Sequence, residues 1–169
     1  MVPIPLHDHI RRQTLPAFTF TLIAANLLAF IAELWIGPHI DEVVFYFGII
    51  PARYTVPKIA LQHTLPGLLL PLFASMFLHG GWLHLLGNML FLFVFGRSIE
   101  DRYGHLKFLL IYFLGGLAGA LVHIILNAGS RVPTIGASGA IAGVLGAYFI
   151  SYPRARITTL VPILFFFWT

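Results

Sequence analysis

GASGAIAGVLGAYFI (residues 136–150) places a serine among small residues at the mouth of an apolar, helix-forming run. About fifty residues upstream, HGGWLHLLGN (79–88) opens a second apolar run carrying His79, Trp82, His84 and Asn88. A hydroxyl, two imidazoles and a carboxamide are costly to bury in hydrocarbon, so their joint placement at helix ends asks for a functional reason. His84 and Asn88 are four residues apart and share one helical face, so both can point at one spot. Serine chemistry inside a bilayer is the reading that uses all of these groups.

The rest of the chain supplies the bilayer. Of 169 residues, 59% are hydrophobic and only 9% charged, with a mean hydropathy of +0.90; soluble domains carry roughly 25% charge. This composition predicts an all-α polytopic membrane protein of one domain. The chain has no cysteine, which excludes disulfides, thiolate metal sites and a cysteine nucleophile. The formal charge of +4 reads as orientation in the membrane rather than nucleic-acid binding.

Residues 1–16 form a polar leader with Arg11 and Arg12, and residues 17–36 a first span too long for a signal-peptide core. Residues 37–81 hold five prolines and mixed apolar pieces, expected as a long connection lying at the membrane interface. A second span is expected from residue 82 to about 95, followed by a polar segment at 97–107, and a third from 108 to about 126. The fourth begins near Gly136 and ends near Tyr152, and residue 157 is expected to start a fifth. The organisation is thus a cytoplasmic leader (1–16) and a membrane domain (17–169) of four full spans plus the start of a fifth.

Loops expected on one side carry Arg11, Arg12, Arg97, Arg102, Lys107, Arg154 and Arg156; those on the other carry Arg53, Lys58 and Arg131. Seven against three predicts a cytoplasmic N-terminus, with Ser138 and the 79–88 group together at the outer side. Gly115 and Gly119 in the third span, and Gly139 and Gly143 in the fourth, form G-x-x-x-G pairs that allow close helix contact in lipid. Gly136 and Gly139 beside the serine read differently, as small neighbours that leave its backbone N–H open to an oxyanion.

HGGWLHLLGN (79–88), GRSIEDRYG (96–104) and GASGAIAGVLGAY (136–148), in this order and spacing, resemble the rhomboid intramembrane serine proteases over roughly residues 70–165. The resemblance implies a six-helix bundle that hydrolyses a peptide bond of a membrane-anchored protein substrate with a serine–histidine dyad. Ser138 matches the nucleophile, and His84 and Asn88 match side chains that stabilise the oxyanion. His79 matches a further histidine with a structural or hydration role, and Glu100 to Gly104 a motif that holds helix ends. The site so implied is Ser138, His84 and Asn88, with no cofactor and no metal; the partners are a transmembrane substrate and the lipid bilayer.

One element of the pattern lies elsewhere. The family's general base is a histidine on the sixth helix, whereas every histidine here precedes Ser138. His84 matches an oxyanion position rather than the base. The terminus FFFWT (165–169) lies inside an apolar run, so the chain is expected to be truncated before the sixth helix and inactive by itself.

Other readings weigh against this one. Ser138 alone would be a packing serine. His79 and His84, five apart and without the glutamate of H-E-x-x-H, do not make a metal site. Asn26 and Glu33 share a face of the first span and receive no chemistry; Arg97, Glu100 and Asp101 read as a helix-end ion-pair group. Trp35 and Trp82 suit interfacial belts. A pseudoprotease that binds transmembrane clients without cutting them is the alternative function. A transporter would call for repeated segments or buried paired charges, and neither is evident.

Overall fold

A computed structural model describes residues 4–160. The chain forms a helical bundle closed at one end by a short two-stranded ribbon: β1 (Ile4–Asp8), α1 (Ala17–Ile36), α2 (Ile40–Phe47), α3 (Ala52–Thr55), α4 (Pro57–Ala60), α5 (Leu65–Ala74), α6 (Trp82–Phe91), α7 (Arg97–Tyr103), α8 (His105–Leu126), α9 (Ser138–Ser151) and β2 (Ile157–Leu160). Among the described residues, three helical stretches are long and apolar enough to cross a membrane: Ala17–Phe47, Trp82–Tyr103 and His105–Leu126. The fourth expected span, α9, has 14 residues, about 21 Å at 1.5 Å per residue.

α1 occupies the residues expected for the first span. Thr19, Leu22, Asn26, Phe30 and Glu33 are its buried positions, one stripe turned to the bundle. Asn26 and Glu33 therefore look into the bundle. α6 runs through a π-helical turn (Leu92–Gly96) directly into α7, so the polar stretch expected after the second span is helical as far as Tyr103. Gly104, at φ +79°, makes the break before α8 in a conformation that side-chain-bearing residues rarely adopt. The core beneath is formed by Leu85, Leu92, Ile99, Phe108, Tyr112, Val144 and Tyr148, with Phe95 set edge-on to Tyr148 at 4.8 Å.

The carboxylates at the α7 end do not pair with Arg97. Glu100, 1% exposed, accepts from the backbone N–H groups of Phe18 (2.8 Å) and Thr19 (2.7 Å), from the Thr19 hydroxyl (2.6 Å) and from His105 Nδ1 (2.5 Å). Asp101 accepts from the N–H groups of Gln13 and Thr14 and from the Thr14 hydroxyl. The start of α1 has Pro16 at its cap and no side chain of its own to satisfy its first N–H groups. Glu100 meets that need, since a carboxylate at a helix N-terminus gains from both hydrogen bonding and the helix dipole. The ion-pair reading of Arg97, Glu100 and Asp101 is thus replaced by a clamp on α1.

The fifth segment starts differently from expectation. Residues 157–160 form β2, antiparallel to β1 with Ile4 opposite Leu160 and Asp8 opposite Ile157. Ile157, Thr158 and Thr159 are β-branched and suit a strand. The leader supplies the partner edge, with an irregularity between Pro5 and His7 where proline lacks a donor. Residues 161–169, the remainder of the expected fifth segment, lie outside the described residues.

α8 and α9 pack antiparallel through their glycines. A Cβ on Gly143 would stand 2.7 Å from Gly115 Cα, and one on Gly119 would stand 2.9 Å from Gly139 Cα. Backbones that close cannot yield as a flexible side chain would. Gly143→Ala is expected to lower stability by about 1–3 kcal/mol through overpacking. Gly146→Ala, where nothing lies within 4 Å of an added Cβ, should be neutral or stabilising, because alanine is the better helix former. Unfolding midpoints of the two variants in detergent check this; similar midpoints would mean the α8–α9 contact is looser than the geometry requires.

The long connection 37–81 is largely helical. It is tied to the loop before α9 by a two-way backbone bridge between Ile49 and Thr134 (2.9 Å each way) and by hydrogen bonds from Ala52 N–H to Ser130 O and from Gly129 N–H to the Thr55 hydroxyl. The loop that delivers Ser138 is therefore held from outside the helical core.

Candidate active site

Ser138 is the first residue of α9, and no side chain caps that helix. The first N–H groups of an α-helix have no intrahelical acceptor, so those of Ser138 and its successors form a small donor cluster at the positive end of the helix dipole. The Ser138 side chain is exposed. It borders an open cavity of about 340 Å³ whose walls include His84, Asn88 and Ser138, with Ile141 and Leu145 from α9 and Phe91 from α6. The three residues singled out from the sequence thus share one space.

Gly136 explains how the imidazole comes so near. Its φ is +126°, and a Cβ there would lie 2.5 Å from His84 Cε1 and 2.6 Å from Nε2. Glycine is required twice, for the backbone angle and for the room. The Gly136 N–H donates to Ser75 O at 2.8 Å, which fixes the turn. Gly139, expected as a second opening around the serine, instead packs on α8: its absent Cβ would meet Gly119 Cα at 3.5 Å. Its smallness serves helix approach rather than the site.

Asn88 is buried and held. Its amide Nδ2 donates to His79 Nε2 at 3.0 Å, while His79 Nδ1 faces the Phe77 carbonyl at 3.3 Å. A carbonyl accepts only, so Nδ1 carries the proton and Nε2 is free to accept from Asn88. Burial pushes the His79 imidazole down to about 4, against which the Phe77 carbonyl acts in the opposite sense, so the ring is neutral at physiological pH. The His79 backbone N–H donates in turn to both Glu33 carboxylate oxygens, at 3.1 and 3.3 Å. Glu33, His79 and Asn88 form a buried line from α1 to the cavity. One Asn88 N–H is spent on this anchorage, and the other remains available.

Three contributions were not foreseen from the sequence. Glu33 shares a face of the first span with Asn26, seven residues away, but received no role. Gly136 was read as leaving the serine open, not as seating His84. His123 received no claim, yet its Nε2 lies 2.7 Å from the Thr134 hydroxyl and its Nδ1 3.2 Å from Asn127 Nδ2, tying the end of α8 to the loop that leads to Ser138. The partner of each lies far away in the chain or across a loop. Their residue types alone carry no sign of it.

Comparison with known proteins agrees with the fold. The Rhomboid domain family model matches residues 66–169, from α5 onward. Rhomboid protease GluP of Bacillus subtilis is 35% identical over 135 residues, covering 78% of this chain and 24% of the relative. The mitochondrial Rhomboid protein 1 of Saccharomyces cerevisiae is 29% identical over 146 residues, 84% of this chain and 38% of the relative. RHOMBOID-like protein 5 of Arabidopsis thaliana is 38% identical over 76 residues, 45% of this chain and 25% of the relative. The chain thus spans 24–38% of the length of these relatives. With the family model covering more than half of the chain, including all of α6 to α9, this protein belongs to the rhomboid family.

Proposed function

We propose that the protein is an intramembrane serine endopeptidase that cuts membrane-anchored protein substrates, with Ser138 as nucleophile and His84 and Asn88 as oxyanion donors. The observation that carries this reading is the single cavity bordered by all three side chains at the uncapped N-terminus of α9. A binding protein has no need of converging donors beside a hydroxyl. A base takes the Ser138 proton, the oxygen attacks the scissile carbonyl, and the base returns the proton to the leaving amine; water, deprotonated by the same base, then attacks the acyl-serine ester and releases the acid with Ser138 restored. The negative charge that develops on the carbonyl oxygen meets the Ser138 N–H, the free Asn88 N–H and an imidazole N–H of His84. Every histidine within residues 1–169 precedes Ser138, and the family resemblance matches none of them to the general base.

The charge bias of the loops orients the protein with residues 1–16 in the cytoplasm and Ser138 toward the outer face. The α1 start lies at the Glu100 end, opposite Ser138, as that orientation requires. A substrate helix has its own backbone groups already paired and must unwind locally before its carbonyl can enter.

The test is labelling by a serine-reactive fluorophosphonate. The full-length protein should be labelled, and its Ser138→Ala variant should not. Failure of the folded, Ser138-intact full-length protein to label would overturn the protease reading and leave client binding without cleavage.

A further inference from the structure

Away from the serine, α2, α3 and α4 enclose a second cavity of about 480 Å³ with a different character. Arg53, Arg131, Gln62 and His63 line it, and Phe45 and Ile59 form its apolar walls. Among the described residues no carboxylate contributes to the lining. Arg53 is only 4% exposed, an uncommon state for a guanidinium among the described residues, and no carboxylate pairs with it there. A buried charge is costly unless it is satisfied.

One arm of Arg53 is accounted for. Its Nη2 donates to the Phe45 carbonyl at 2.6 Å, and the guanidinium lies over the Phe45 ring, 4.6 Å from the centroid. The carbonyl belongs to the last turn of α2, where such groups lack an intrahelical donor. This contact holds the guanidinium in place. A guanidinium has five N–H donors in a planar fork, so the arms not turned to Phe45 remain for whatever enters the cavity.

The lining is therefore a fixed arginine, a second arginine on the exposed loop before α9, and two further side chains that can donate. Such a set suits an anion with several acceptor oxygens, and arginine in particular matches phosphate. The surroundings are apolar: Leu61 and Leu65, beside Gln62 and His63 in sequence, are 87% and 69% exposed. A cationic pocket flanked by bare leucines resembles the boundary between headgroups and acyl chains.

We propose that this cavity binds a phosphate group, presented by a phospholipid headgroup or as free phosphate. Binding here would brace α2–α4 and, through the Ile49–Thr134 bridge, the loop that carries Ser138.

The test uses the complete protein in neutral detergent, with the unfolding midpoint followed against added dioleoyl phosphatidylglycerol or added inorganic phosphate. At least one probe should raise the midpoint. Arg131→Gln should raise the concentration needed for half of that effect by about tenfold or more, the loss expected for one charge-assisted hydrogen bond. Arg53→Gln should do the same if it folds, but it also uncaps α2, so Arg131→Gln decides. Lys58→Gln removes a cation that does not line the cavity and should change nothing. A response to phosphatidylglycerol alone assigns the lipid headgroup; a response to inorganic phosphate with the same Arg131 dependence assigns free phosphate. No response to either probe, a response unaltered by Arg131→Gln, or equal weakening by Lys58→Gln would overturn the proposal.

Discussion

Ser138→Ala is expected to lower peptide-bond hydrolysis by the complete protein by about 10⁴–10⁶, the scale seen when the nucleophile of a serine protease is removed. The loss is large because, among the described residues, no other hydroxyl borders the cavity of about 340 Å³ shared with His84 and Asn88. Asn88→Ala should cost less, about 10²–10³, since it removes one oxyanion donor and leaves the nucleophile. The loss should fall on kcat rather than KM, because the donor acts on charge that appears only in the transition state. Reconstituted protein and a transmembrane peptide substrate, with kcat and KM separated, provide the measurement. An Asn88→Ala variant that raised KM with kcat unchanged would place Asn88 in substrate binding instead.

The second large effect is on stability. Glu100→Ala is expected to cost about 2–5 kcal/mol, because it strips acceptors from two backbone N–H groups and a hydroxyl that are then left with no partner. Phe18 and Thr19 lie at the first turn of α1, and their donors reach Glu100 at 2.7–2.8 Å in a place water scarcely enters. Glu100→Gln keeps the shape and one acceptor oxygen, and should cost roughly half as much. Asp101→Asn, on the less buried leader clamp, should cost less again. Unfolding midpoints in one detergent rank the three; a Glu100→Ala protein as stable as the parent would show that α1 is anchored by its apolar stripe alone.

These two residues illustrate different kinds of evidence. Ser138, His84 and Asn88 stand out by type, because polar groups at the mouths of apolar helices are expensive and a spacing of four puts two of them on one face. Their shared cavity was therefore anticipated. Glu100 was noticed in a motif that holds helix ends, but its neighbours suggested an ion pair with Arg97. Its partners on α1 are more than eighty residues away in sequence, and local charge pattern carries no information about such a contact. Glu33 is the same case: its acceptor oxygens serve a backbone N–H, and backbone donors are invisible in a list of side chains.

Glycine shows both limits within one motif. The repeats 115/119 and 139/143 announced a close helix pair by their spacing, and the backbones meet at those residues. Gly136 and Gly139, three residues apart beside the serine, look equivalent in sequence yet do different things. One is placed at φ +126° against the His84 ring and the other against α8. The difference arises from what lies opposite.

Apolar runs of helical length and the scarcity of charge were enough to determine a helical membrane bundle, because hydrocarbon admits few alternatives that satisfy every backbone group. The rhomboid family resemblance was also legible, because its motifs are local strings. Tertiary structure alone decided the pairing of the leader with residues 157–160, the buried line from Glu33 through His79 to Asn88, and the arginine-lined cavity behind α2. Each depends on groups brought together across long stretches of chain, and burial changes what a polar side chain must find as a partner.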